Sequence, residues 1–349
     1  MKILITGNMG YIGPAVVKRI RASYPKAKIV GLDTGFFAHC LTNSDVLPES
    51  RLDGQIFHDI RKVTEDHLKG VDAVVNLAAI SNDIMGKIDE SLTLDINYRA
   101  GVRLAKLAKR CGVKSFVFAS SCSVYGFAEE GAKTEQSPVN PLTAYAKSKI
   151  LTEKGLAPLA GKNFKVTCFR FATACGMSER LRLDLVINDF VACALTSKKI
   201  TVLSDGTPWR PLIHIKDMAR AMDWGIQRPV SAGGPFLVVN AGSDEWNYQV
   251  KDLAKAVADE IPGTEVSINL DAPPDKRSYR VDFGLFRKLA PKNQPQVGLL
   301  EAIRELKEGL EGMGFDNANF RDSNFMRIKV LMGLVDRGLL TPELRWLKK

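Results

Sequence analysis

The chain has 349 residues, 45% of them hydrophobic and 25% charged, an ordinary globular composition with room for one large domain or two modest ones. No uninterrupted apolar run reaches bilayer length, which excludes a transmembrane helix, and the chain enters a strand at once with no signal-peptide layout. The net charge of +10 is scattered and not gathered into an arm, which speaks against nucleic acid and leaves a solvated surface or a phosphorylated small-molecule ligand.

The opening stretch sets out strand, glycine turn, helix, strand and acid. MKILITG is a short apolar strand, and Gly7-x-x-Gly10-x-x-Gly13, with Tyr11 and Ile12 inside the turn, leads it into a helix over residues 14–22. Glycine lets the backbone turn tightly and approach a pyrophosphate. The helix start offers that anion its unsatisfied N–H groups and the positive end of its dipole. A second strand over residues 28–32 ends on Asp33, about 20 residues after the turn, where a carboxylate accepts hydrogen bonds from a ribose diol. No basic residue directly follows Asp33, and the acid repels a 2′-phosphate, so the layout favours NAD over NADP.

Further along, His58-Asp59-Ile60 suits an adenine ring or a plain loop. Residues 73–79 (AVVNLAA) form a buried strand by their apolar run, 92–109 a helix, 115–119 a strand and 165–169 another. Asn140-Pro141 matches an N-cap followed by proline at the first helical position, and predicts a helix opening there. The alternation predicts a doubly wound parallel sheet with helices on both faces, a Rossmann-type α/β domain over residues 1–175. Beyond 175 the rhythm breaks. Residues 176–182 form a polar, charged loop, 184–195 a helix, and 199–203 and 212–214 short extended pieces. Residues 236–240 form a buried strand, and 248–261 and 300–313 are helical. The expectation is a smaller C-terminal α/β substrate lobe over 176–349, with segments near 210–245 returning to the first domain. The six cysteines (Cys40, Cys111, Cys122, Cys168, Cys175 and Cys193) show no C-x-x-C spacing and read as reduced, mostly buried thiols of a cytoplasmic protein. They and four histidines display no metal-ligand set.

The residues suited to chemistry follow two of these elements. Ser120-Ser121-Cys122-Ser123-Val124-Tyr125-Gly126 leaves the carboxyl end of a strand, the end that faces the ligand crevice in a parallel sheet. Tyr145 and Lys149 stand four apart on a helix and share a face. A phenol with an ordinary pKa of about 10 is a poor base at neutral pH. A nearby ammonium lowers that pKa, and a serine hydroxyl orients the substrate oxygen. The set suits removal of an alcohol proton as hydride leaves the same carbon.

With these residues in place the chain resembles the extended short-chain dehydrogenase/reductases, the NAD-dependent sugar-nucleotide epimerases and dehydratases. The resemblance rests on the glycine turn, Asp33, Asp59-Ile60, Asn76-Leu77-Ala78-Ala79, Asn97, Ser121 with Val124-Tyr125-Gly126, and Tyr145-x-x-x-Lys149. It implies Tyr145 as acid/base, Lys149 as ligand of the nicotinamide ribose and tuner of Tyr145, and Ser121 as partner of the reacting sugar oxygen. It implies cofactor contacts from Gly7, Gly10, Tyr11, Ile12, Gly13, Asp33, Asp59, Ile60, Leu77, Ala78, Ala79 and Asn97. A nucleotide-diphosphate sugar would meet Arg210, in the stretch 207–215, with Arg277, Asn188 and Ser123 as further candidates. Ser81 and Asn82, in the polar loop 80–87, would set specificity. A homodimer packed through residues 92–109 and 141–156 is also implied.

The departures narrow the chemistry. Dehydrating members carry Asp-Glu directly after the position of Ser121, where this chain has Cys122 and Ser123, and decarboxylating relatives tend to carry glutamate at the position of Ser123. Thr173 stands where the family has asparagine, which puts the usual substrate contacts in doubt. These residues point to an NAD-dependent epimerase of a nucleotide-diphosphate sugar. An NAD(P)H-dependent reductase of a 4-keto nucleotide sugar uses the same three residues, and a non-catalytic dinucleotide sensor is the rival from another class. The tail 319–349 carries helical apolar spacing over 325–334 and covers either the substrate lobe or a dimer contact.

Overall fold

The computed structural model describes residues 1–349 apart from Asn82, residues 273–276 and residues 348–349. The first half runs β1 (Lys2–Thr6), α1 (Gly13–Ser23), β2 (Lys28–Asp33), β3 (Gly54–Phe57), β4 (Ala73–Asn76), α2 (Asp83–Ile88), α3 (Glu90–Leu94), α4 (Ala100–Arg110), β5 (Ser115–Ser121), β6 (Phe127–Lys133), α5 (Ala144–Leu156), β7 (Lys165–Phe171) and β8 (Thr173–Cys175). It continues through α6 (Val186–Thr196), β9 (Lys199–Val202), β10 (Trp209–His214), α7 (Ile215–Gln227), β11 (Phe236–Ala241), β12 (Asn247–Gln249), α8 (Val250–Glu260), β13 (Glu265–Ile268), β14 (Ser278–Val281), α9 (Gly284–Leu289), α10 (Leu299–Gly312) and α11 (Arg327–Asp336).

Seven strands form one parallel sheet in the order β11-β7-β5-β4-β1-β2-β3, a Rossmann-type α/β arrangement. The chain reverses direction across the sheet between β1 and β4, and a crevice opens there at the carboxyl ends of the strands. The strands alternate their buried side chains between two layers. Ile3, Ile5, Val117 and Phe169 face the layer of α1 and α7, while Leu4, Val74, Phe116, Val166 and Cys168 face the layer of α4. Each such side chain contributes about 1.5–3 kcal/mol by leaving water. Helices α1 and α7 pack side by side, pinned by Arg19 Nε donating to Asp223 Oδ2 at 2.8 Å.

The later elements build smaller sheets, β12-β10-β8, β13-β9 and β14-β6, while β11 joins the edge of the main sheet beside β7. Helix α11 and the residues after it turn back to the first domain: Ile328, Leu331, Leu334, Leu340 and Leu344 pack into the same apolar layer as Leu4, Leu32, Ile60 and Val63. Among the described residues no helix is long and apolar enough to cross a membrane. All six cysteines are free thiols, five of them buried.

Three local expectations change. The helix expected at Asn140-Pro141 opens at Ala144, with Thr143 Oγ1 accepting the Ala146 N–H at 3.2 Å. Asn140 is instead tied into the preceding loop, its N–H donating to the Val124 carbonyl at 2.9 Å. The helix expected over 92–109 is interrupted by a π turn at Asp95–Arg99, which turns Asn97 inward. The strand expected over 73–79 ends at Asn76, and Leu77, Ala78 and Ala79 line the crevice as open chain.

Candidate active site

A cavity of about 1030 Å³ runs along the carboxyl ends of the strands and into the smaller sheets. Its first end is the glycine turn. Gly7 has φ +75°, and a Cβ on it would stand 2.5 Å from the Ala78 nitrogen; a Cβ on Gly13 would collide with the Asn8 carbonyl. Only glycine fits either place. Helix α1 starts without a side-chain cap, so its first N–H groups remain available to an anion. Asp33 is fixed beneath the turn, accepting from Met9 N–H at 3.0 Å and Gly35 N–H at 2.8 Å. Burial raises its carboxyl above the ordinary value, and those two N–H groups oppose the rise. These features fit NAD: a turn that admits a diphosphate, an uncapped helix start and a buried ribose acceptor.

Asp59 and Ile60 also line this end. Asp59 caps a short 3-10 turn and takes Arg61 through both carboxylate oxygens, Nη2 at 2.7 Å and Nε at 3.0 Å. Burial pushes the Asp59 carboxyl up, but the Arg61 bonds outweigh it and hold the group below its ordinary value.

The cavity wall also carries Ser121, Ser123, Tyr145 and Lys149. Ser121 ends β5, and its Oγ accepts the Ser123 N–H at 3.1 Å, which starts the turn that follows. Ser123 Oγ is buried and has no hydrogen-bond partner among the described residues. Tyr145 and Lys149 stand on α5, the Nζ 5.1 Å from the centre of the phenol ring and donating to the Ala119 carbonyl at 2.7 Å. Burial pushes the Lys149 ammonium down to about 7, with the Glu153 carboxylate opposing. Cys122 turns away, its thiol donating to the Arg170 carbonyl at 3.1 Å, so the residue after Ser121 brings no acid or base to the cavity.

Of the remaining expected residues, Gly10, Tyr11, Ile12, Ser81, Arg210 and Arg277 line the cavity, the last two beside Tyr279 at the end formed by the smaller sheets. Asn82 lies outside the described residues. Two expectations are corrected. Asn97 does not reach the cavity wall: its amide bridges the N–H and carbonyl of Ile80 at 2.8 and 2.9 Å and touches Ser148 Oγ at 3.1 Å, so it shapes the loop. Asn188 is fully buried, and its amide is spent on Gly176 N–H, Tyr11 Oη and the Arg182 carbonyl.

Buried arginines are the part that sequence reasoning missed. In residues 176–182, expected as a polar loop, Arg180 and Arg182 are 0% and 8% exposed. Arg182 holds Asp184 through Nε at 2.6 Å and Nη2 at 3.0 Å, and its Nη1 reaches Ser81 Oγ at 2.8 Å. Burial works against its charge, but the Asp184 carboxylate outweighs that and raises the pKa. The alternation Arg180-Leu181-Arg182-Leu183 is the signal that was present, because strict alternation with buried leucines is unusual in a solvated loop. Arg321, whose Nη2 meets Asp189 at 2.7 Å, also lines the cavity.

The model of the NAD dependent epimerase/dehydratase family matches residues 3–242 of the chain. An uncharacterized UDP-glucose epimerase of Bacillus subtilis is 28% identical over 281 residues, 77% of this chain and 84% of that protein. The UDP-glucuronic acid decarboxylase 6 of Arabidopsis thaliana is 24% identical over 317 residues, covering 88% of each chain. Among solved structures, the NAD-dependent NDP-hexosamine 5,6-dehydratase TunA of tunicamycin biosynthesis superposes with a TM-score of 0.77 at 26% identity, over 90% of this chain and 99% of that one. The three differ in the reactions for which they are named.

Proposed function

Because the chain belongs to the NAD-dependent epimerase/dehydratase family, we propose that it is an NAD-dependent epimerase of a nucleotide-diphosphate sugar. The observation that carries this reading is the placement of Lys149 Nζ 5.1 Å from the Tyr145 ring on the wall of the cavity that also holds Ser121 and the glycine turn. No acidic residue follows Ser121, since Cys122 and Ser123 occupy those places. Elimination of water needs a general acid and base there, so the arrangement favours epimerisation over dehydration.

When bound, the dinucleotide supplies the acceptor, and afterwards the donor, for the hydride of the reacting sugar carbon. Gly7, Gly10, Gly13 and the start of α1 hold its diphosphate and Asp33 its ribose. Tyr145 Oη takes the proton from the sugar hydroxyl and later returns it. Lys149 stabilises the phenolate while its Nζ stays anchored on the Ala119 carbonyl. The hydroxyls of Ser121 and Ser123 orient the sugar oxygen, and Arg210 and Arg277 receive the sugar nucleotide's diphosphate at the far end. A cavity of about 1030 Å³ leaves room for a keto-sugar to present its other face. The proposed functional unit is a homodimer packed through α4 and α5.

A proton NMR time course on a panel of nucleotide-diphosphate sugars with catalytic NAD tests this reading. A new anomeric signal with no net change in nicotinamide absorbance is the expected result. Conversion only when a 4-keto sugar and NAD(P)H are supplied, with matched loss of both, would replace it by the reductase.

A further inference from the structure

The segment that turns back across the first domain brings a charge to the cofactor end of the cavity. Arg327, at the start of α11, lines the cavity and is only 4% exposed. Its Nη2 donates to the Arg180 carbonyl, and its guanidinium lies over the Phe37 ring, 4.6 Å from the centre. Its Nη1 is buried with no hydrogen-bond partner among the described residues. Glu49 is taken by Arg180 at 2.8 Å and Asp184 by Arg182 at 2.6 Å, so among the described residues Arg327 shares the Asp184 charge with Arg182 and has only the weakly polar Cys40 thiol beside it as a further partner. Burial lowers the Arg327 guanidinium to about 10, with Arg182 and Arg180 adding to the fall and the Cys40 thiol and Asp184 opposing, so it stays charged at neutral pH. A buried cation with an unmet donor is costly unless a counter-ion answers it.

Two chains of contacts place this donor relative to the glycine turn. Arg180 lies two residues after Ser178, whose Oγ donates to the carbonyl of Tyr11, inside the turn, at 2.7 Å. Phe37 lies in the segment after Asp33, and the Asp33 carboxylate accepts from Met9 N–H of the same turn at 3.0 Å. The guanidinium thus stands between the segment covering the turn and the segment beyond the ribose acid. A dinucleotide with its diphosphate on the turn and its ribose on Asp33 would span these two segments. The segment is held there by Trp346 Nε1, which donates to the Thr34 carbonyl at 2.7 Å, and by Arg61, which donates to the Glu343 and Leu344 carbonyls at 2.9 and 3.0 Å.

We propose that Arg327 is a ligand of the dinucleotide's diphosphate, supplied by the C-terminal segment to a site whose other parts come from the first domain. The assignment holds whichever reaction the Tyr145 end catalyses. The test is calorimetric titration of the full-length protein, freed of nucleotide, with NAD, ADP and adenosine. Arg327→Gln should weaken NAD and ADP about tenfold or more and leave adenosine unchanged, and Arg327→Lys should lose less. Unchanged NAD and ADP affinity, or an equal loss for adenosine, would overturn the assignment. So would an effect confined to NADP, which would make the 2′-phosphate the partner. If Arg327→Gln does not fold, the Arg327→Lys protein decides by phosphorus NMR of bound NAD: shifted diphosphate resonances support the contact, and resonances identical to wild type overturn it.

Discussion

The Lys149 ammonium is anchored on the Ala119 carbonyl at 2.7 Å with the Tyr145 ring centre 5.1 Å away. One end of β5 thereby fixes the distance between a buried cation and the phenol beside it. Tyr145→Phe removes the proposed proton acceptor and keeps the ring against Lys149. Turnover is expected to fall by about two to four orders of magnitude, the contribution typical of general base catalysis, while NAD affinity stays within a few-fold of wild type. Steady-state rates and NAD titration on the same preparation check this, and unchanged turnover would remove Tyr145 from the mechanism.

Lys149 also predicts a pH dependence of stability. Its folded pKa of about 7 lies below the ordinary 10.5, so between these values the unfolded chain binds the extra proton and stability rises with pH. In the nucleotide-free protein, the stability difference between wild type and Lys149→Met should therefore move in favour of wild type from about pH 7 upward. Taking the difference cancels the other titrating groups. Denaturation midpoints of both proteins at several pH values measure it, and a flat difference would contradict a depressed Lys149.

Arg182 and Asp184 form a buried pair whose guanidinium also grips Ser81. Arg182→Met leaves the carboxylate without that cation and should cost about 3–5 kcal/mol of stability. Adding Asp184→Asn should recover part of the loss. Urea unfolding of the two single variants and the double variant gives the coupling, and strict additivity would mean that the pair contributes nothing.

Trp346 reaches the Thr34 carbonyl with its indole N–H at 2.7 Å and packs on Phe36 with ring centres 5.9 Å apart. Phe36 and Thr34 line the cavity beside Asp33, where the proposed dinucleotide would lie. Trp346→Ala should speed NAD release by about two- to tenfold, the worth of one net hydrogen bond, with little change in the chemical step. Stopped-flow displacement of bound NAD reads this directly.

The glycine turn and its acid were legible in the sequence because their signals are local. Gly7, Gly10, Gly13 and Asp33 lie within one strand-helix-strand unit, where close backbone approach dictates Gly7 and Gly13, and Asp33 accepts from the Met9 and Gly35 N–H groups. Tyr145 and Lys149 were legible for the same reason, sharing one helix. The helix start at Ala144 was missed because Asn140-Pro141 and Thr143 are both acceptable openings, and the Asn140 bond to Val124 that decides between them is tertiary. Asn188 reads as a free polar side chain until Tyr11 and Gly176 are folded against it. Alternation with leucine hinted at the burial of Arg180 and Arg182, but the partners of the buried arginines were illegible. Arg180 is neutralised by Glu49 and Arg327 leans on Phe37, and neither pairing leaves a trace in spacing. The helical period of α11 was visible, but the surface it covers was not.

β11 and β7 are hydrogen-bonded neighbours, yet residues 172–235 lie between them in the chain and contain β8, α6, β9, β10 and α7. A ribosome therefore produces β7, buried along its whole length in the finished protein, well before the strand that covers its outer edge. At about 5–20 residues per second the open edge persists for several seconds. Nascent chains crowded on one messenger would present it to each other throughout that time, and a product terminated ahead of Phe236 would present it permanently. The arrival of Phe236–Ala241 closes the edge of β7 and leaves the shorter β11 as the end of the sheet.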